Sequence, residues 1–147
     1  MKHVNNGACL KCQSIIGLYP GFHQGLKVWF EELQAKYPEA HVSEAGRGEL
    51  RQFQLKKNGS SRAAWKQSAH NWNAALDLFC VIEGVDGIYH EPWFNEKLAP
   101  EIPAWISWYG RKGSPFPELP HVEVRDWRDL AKAGSLKLVS KMRGAGG

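Results

Sequence analysis

Apolar side chains recur at near-helical spacing between Phe22 and Lys36, at Leu26, Val28, Trp29, Phe30 and Leu33, and Tyr37-Pro38 ends the run. This predicts an amphipathic helix. His41 to Ala45 reads as a short strand, Gly46 as a turn, and Gly48 to Lys57 as a second helix closed by Asn58-Gly59. Gly59 to Gln67 is a polar connection. From Ala74 to Ile82 the period changes to two, with Leu76, Leu78, Cys80 and Ile82 on one face and Ala75, Asp77, Phe79 and Val81 on the other. This is the clearest strand of the chain, and it presents Asp77 opposite its most apolar face.

Gly84 to Gly87 predicts a turn, and Glu91 to Trp105 a helix whose second half is broken by Pro100 and Pro103. Two further short strands are expected at Ile106 to Tyr109 and Pro120 to Val124, separated by the Gly/Pro/Ser-rich loop Gly110 to Pro117. Asp126 to Ala133 reads as a last short helix. Beyond Gly134 apolar residues thin out, which predicts a mobile tail. The expected fold class is α+β, a small antiparallel sheet flanked by helices, with one domain over residues 1–133 and a flexible segment over 134–147. No repeat or linker marks a second domain.

Composition narrows the reading. A chain of 147 residues can bury one core, and 43% hydrophobic with 23% charged residues is the balance of a globular protein. Seven tryptophans exceed ordinary usage; several belong in the core, and a surplus suits a groove for an extended or carbohydrate-bearing ligand. Nineteen Lys and Arg against fifteen Asp and Glu leave a net charge of +4, a mild attraction toward polyanions such as nucleic acid, anionic membrane surfaces and the acidic polymers of a bacterial envelope. No run interleaves basic and aromatic residues, so nucleic acid is discounted as a partner. No stretch approaches the ~20 apolar residues of a membrane span, so membrane insertion is not expected.

Cys9, Cys12 and Cys80 are an odd number, and Met1 to Ala8 holds no apolar stretch of signal-peptide length. The expectation is synthesis in a reducing bacterial cytoplasm without a signal peptide, with partly buried thiols outside any disulfide. Cys9 and Cys12 form one CxxC flanked by His3 and His23, for which a structural zinc or a redox pair is conceivable, although a single CxxC is a weak signal.

Two patches carry the chemistry. Ser68 to Asp77 holds His70 and Asp77, and Glu118-Leu119-Pro120-His121 adds a second imidazole and a second carboxylate. That is the inventory of a hydrolytic zinc site, in which three protein ligands hold the ion and a fourth position is left open. His70 and Asp77 stand seven apart across strand-type sequence, so they are not the helical pair of an HExxH protease. Pro120 excludes an ordinary helical turn between Glu118 and His121. A Glu three residues from a ligand can reach the attacking water without ligating, which favours Glu118 as general base over Glu123, on the same strand face as His121 and suited to the metal's surroundings. His41 and His90 read most simply as surface residues.

These residues resemble the peptidoglycan zinc metallopeptidases, the family of D-alanyl-D-alanine carboxypeptidases and phage L-alanyl-D-glutamate endopeptidases that shares the hedgehog/DD-peptidase fold. The motif SxHxxGxAxD is met by Ser68, His70, Ala75 and Asp77, and the second motif, an acid followed three residues later by a His, by Glu118 and His121. Arg47 and Gln52 match the family's Arg-x4-Gln, and Trp108-Tyr109-Gly110 is similar to its Trp-Gly-Gly segment. The similarity spans about residues 22 to 133. It implies one zinc ion on His70, Asp77 and His121, Glu118 as general base, Arg47 against the oxyanion, and Ser68 and Gln52 holding substrate. It further implies a monomer acting on peptidoglycan stem peptides, a phage or prophage lytic enzyme released through a holin or carried in a virion. The alternatives are a D-alanyl-D-alanine carboxypeptidase and a non-catalytic zinc-containing wall-binding module. The chain departs from the pattern at Asn73, which stands for the motif glycine and is the residue that best tolerates a positive φ in its place. Glu44 and Gly48 replace the small and aromatic residues usual around the family's arginine.

Overall fold

A computed structural model describes residues 9–110 and 118–140 of the chain. The first helix, α1 (Leu10–Gly17), carries almost no sequence signal: only Cys12 and Ile16 are buried, and its N-cap is Cys9, whose sulfur accepts the Cys12 N–H at 3.3 Å. Cysteine is not among the usual capping residues, and two buried positions set no period. The amphipathic run folds as α2 (Gln24–Lys36), which buries Leu26, Trp29, Phe30, Leu33 and Gln34. His23 caps it by accepting the Leu26 N–H at 3.0 Å and stacks on Trp105.

Strand β1 (Ala40–Glu44) leads through Gly46 and Arg47 into α3 (Glu49–Lys57). A 3-10 turn (Ala69–Trp72) then feeds β2 (Ala75–Cys80). Helix α4 (Glu91–Trp93) continues as a widened π-type turn over Phe94–Leu98 and tightens to a 3-10 turn over Ala99–Glu101. Pro100 accounts for that irregularity, because it lacks an N–H and its ring crowds the carbonyl four residues back. Strands β3 (Ile106–Trp108) and β4 (His121–Val124) and helix α5 (Trp127–Lys132) complete the fold. The expected loop between β3 and β4 lies mostly outside the described residues.

The four strands form one antiparallel sheet in the order β1-β2-β4-β3, so the α+β expectation holds. Helices α1 and α2 cover β1. Leu26, Phe30, Leu76, Leu78, Phe94, Leu98, Ile106 and Val122 are fully buried between these layers, each contributing about 1.5–3 kcal/mol on the usual scale for a large apolar side chain. Trp29, Trp93, Trp108 and Trp127 join the core, while Trp105 remains 40% exposed.

Two expectations are corrected. His41 is not a surface residue but fully buried, its Nδ1 3.6 Å from Cys12 Sγ, because β1 is covered by α1 on that side. The segment after Gly134 is packed over its first residues: Val139 is buried, its N–H donates to Asn71 O at 2.8 Å, and Lys137 O accepts from Asn73 Nδ2 at 2.8 Å. Val139, the partly buried Leu136 and two backbone groups together dock this segment. None of the three cysteines forms a disulfide, and all are buried. Burial pushes the Cys12 thiol up to about 12, the Val42 N–H pulling in the opposite direction.

Candidate metal centre

Strand pairing supplies two of the converging side chains. Asp77 of β2 and His121 of β4 are directly opposed in the antiparallel register, which puts both on one face of the sheet. The third comes from the 3-10 turn. Ser68 caps that turn by accepting the His70 N–H at 3.2 Å, and Asn71 answers by accepting the Ser68 N–H at 3.2 Å, a capping box built from Ser and Asn. The turn ends at Asn73, which takes φ 57° and ψ 36°, the left-handed conformation anticipated for the motif glycine's position. His70 is thereby aimed back over the start of β2.

The donor atoms of His70, Asp77 and His121 all lie within 4.8 Å of one another. His70 Nε2 and His121 Nδ1 face the same oxygen, Asp77 Oδ1, at 3.1 and 3.2 Å, with the two rings 5.0 Å apart. Their outer nitrogens are committed elsewhere. His70 Nδ1 is 2.7 Å from Ala45 O, a carbonyl that can only accept, so the proton is on Nδ1. His121 Nε2 is 2.7 Å from Glu123 Oε1, and Glu123 Oε2 accepts the Trp127 indole N–H at 3.0 Å. Both neutral tautomers thus turn a bare lone pair toward an anionic oxygen, an arrangement that requires a cation or a proton among the three. The donor set, two imidazoles and a carboxylate, fits a divalent metal such as zinc.

With protons alone filling that role, the charges respond strongly. Burial works to raise the Asp77 carboxyl, but the His70 charge and hydrogen bonds from both histidines hold it well below the usual carboxylate range. Burial works to lower His121, yet its hydrogen bonds to Asp77 and Glu123 push it up to about 10. Glu123, likewise opposed by burial, is lowered by its hydrogen bond to His121.

Arg47 borders this cluster. Its Nε donates to Glu44 Oε1 at 2.7 Å, its Nη1 to Gln52 Oε1 at 3.1 Å, and its Nη2 stands 3.9 Å from Asp77 Oδ2. A bulge in β1 between Val42 and Glu44 turns Glu44 toward that position. Gln52 is fully buried with its amide fully used: Oε1 accepts from Arg47 and Asn71, and Nε2 donates to Ser61 Oγ and Ala63 O. This amide supports Arg47 from beneath and has no group left for substrate, contrary to the expectation for Gln52. Asn71, to which no motif assigns a role, ties the region together through Lys66 N, Ser68 N, Arg47 O and Gln52. Its one sequence signal is the Ser-x-x-Asn spacing of the cap.

The cluster opens into a cleft of about 1100 Å³ lined by Arg47, Ser68, His70, Asp77, Glu118, His121, Glu123 and Trp127 among others. Glu118 is an exposed residue on its wall, with its backbone N–H on Tyr109 O. A second hollow of about 720 Å³ shares Arg62, Gln67, Trp127 and Arg128 with the cleft and adds Lys66 and Lys132, so one end is basic and aromatic. The structure therefore brings all seven sequence-predicted residues to one region, with Gln52 behind the cleft rather than in it.

The fold is similar to that in the crystal structure of the Serratia marcescens L-Ala D-Glu endopeptidase ChiX, with a TM-score of 0.67 and 19% sequence identity over 85% of this chain and 93% of that chain. No protein-family model matches the chain, and no curated protein matches it by sequence.

Proposed function

We propose that this chain is a zinc-dependent peptidase that hydrolyses peptide bonds of bacterial peptidoglycan as a lytic endopeptidase of a phage or prophage. The observation that carries the metal is the pair of tautomer-fixed imidazoles aimed at one oxygen of Asp77. The peptide substrate is supported by the fold likeness to an L-Ala D-Glu endopeptidase and by the Ser68 to Asp77 and Glu118 to His121 motifs. His70 Nε2, Asp77 Oδ1 and His121 Nδ1 would hold the ion. Zinc bound there supplies Lewis acidity toward the scissile carbonyl and lowers the pKa of water to about 7.

The chain's own residues do the rest. Glu118 takes a proton from the attacking water on its carboxylate and returns it to the leaving amine. Arg47, held in place by Glu44 and Gln52, offers a fixed charge to the oxyanion as it develops. Ser68 orients His70 through the capping bond. The basic hollow adjoining the cleft, with Arg62, Lys66, Arg128 and Lys132, suits the free carboxylates of stem peptides.

Digestion of purified sacculi with the zinc-loaded protein, followed by mass spectrometry of the released peptides, tests this reading. New amino termini at D-Glu are the expected product. Release of D-Ala alone would make the protein a carboxypeptidase, and no release would leave a wall-binding module.

A further inference from the structure

We propose that Cys9, Cys12 and His41 form a second zinc site, structural in role and separate from the cleft. Cys9 Sγ, Cys12 Sγ and a ring nitrogen of His41 lie within 4.8 Å of one another, and all three residues are buried, at 0%, 1% and 0% exposure. Donors around a tetrahedral zinc stand about 3.3–3.8 Å apart, given bonds of about 2.0–2.3 Å. Cys12 Sγ and His41 Nδ1 are already at 3.6 Å.

Burial holds the Cys12 sulfur as a thiol, and the N–H donors aimed at both sulfurs are contacts that metal-bound thiolates would keep. The Cys12 N–H, at the start of α1, points at Cys9 Sγ at 3.3 Å. The Val42 N–H and the Gln34 side-chain amide point at Cys12 Sγ at 3.4 and 3.6 Å. Donors ringed about two sulfurs, with an imidazole alongside, make a soft site that selects zinc over magnesium or calcium. A redox role for the CxxC pair fits less well, because thiol–disulfide exchange needs a sulfur that a partner can reach. Among the described residues these three supply two thiol sulfurs and one imidazole nitrogen, and one further ligand would complete a tetrahedron. The site joins α1 to β1 and lies against α2, whose Gln34 bonds Cys9 N, Cys12 Sγ and Ala40 O. Its metal therefore fixes the amino-terminal helix to the edge of the sheet.

The two sites differ in one observable way: only this one contains sulfur. The full-length protein purified without chelator is expected to hold about two zinc ions per chain by elemental analysis. After exchange with cobalt(II), it should show the near-ultraviolet thiolate-to-cobalt charge-transfer absorption. His70→Ala should lose one metal equivalent and keep that absorption. Cys12→Ser should lose the other equivalent and the absorption with it, and Cys80→Ser should change neither. The wild-type spectrum needs no variant, so misfolding of Cys12→Ser leaves the test intact. Absence of the sulfur band from the cobalt-loaded wild type would overturn the site. A Cys9–Cys12 disulfide in the protein as isolated would overturn it in favour of a redox pair.

Discussion

Replacing Glu123 by glutamine separates metal affinity from catalysis. The carboxylate meets two donors, the His121 Nε2–H at 2.7 Å on one oxygen and the Trp127 indole N–H at 3.0 Å on the other, with its side chain 13% exposed. Glutamine keeps the shape but has one oxygen, so it satisfies one of these donors and turns an NH2 group toward the other. An unmet buried donor costs about 1–3 kcal/mol, and each 1.4 kcal/mol is about tenfold in an equilibrium constant. Some of that cost falls on the fixed His121 tautomer, so zinc affinity should drop by about 10- to 100-fold, the range usual for a lost partner of a metal-bound histidine. Competition against a chelator of known affinity measures this, with circular dichroism to confirm the fold. Adding Trp127→Phe removes the second donor, so the glutamine oxygen can serve His121, and part of the affinity should return in the double variant. Unchanged zinc affinity in Glu123→Gln would refute the reasoning, and no recovery in the double variant would place the loss outside this pair of hydrogen bonds.

Other outcomes follow from the same geometry. Glu118→Ala, an exposed position on the cleft wall, should keep zinc content and melting temperature while wall degradation falls by about 100- to 10,000-fold. Arg47→Lys should fail to restore activity, because lysine cannot reach Glu44, Gln52 and the cleft together; the loss should appear in kcat at unchanged zinc content in steady-state kinetics on a soluble wall peptide. Asn73→Gly should leave thermal stability nearly unchanged, losing the bond to Lys137 but easing the backbone, whereas Asn73→Val should lower it by about 2 kcal/mol or more in a denaturant titration, since a β-branched residue resists φ 57°.

Much of this is legible in the chain itself. The alternation from Ala74 to Ile82 and the helical period from Phe22 to Lys36 mark β2 and α2, because both elements bury one continuous stripe. Asp77 and His121 are readable as partners only through their motifs, since their meeting depends on strand register across 44 residues. Ala45 O has no side chain to betray it, and a backbone acceptor for His70 cannot be inferred from sequence. Nor can the burial of His41, an isolated polar residue whose surroundings come from a helix capped by cysteine. Glu44 is visible in the sequence only as a departure from the family pattern; the structure makes it the closest partner of Arg47.

The packed segment around Val139 makes the presentation of His70 depend on residues far along the chain. The Val139 N–H closes on Asn71 O at 2.8 Å, and Asn73 Nδ2 donates to Lys137 O at 2.8 Å, so the turn is gripped from a stretch more than sixty residues downstream. A change confined to that stretch would therefore be felt by the cluster of His70, Asp77 and His121 without touching any of the three.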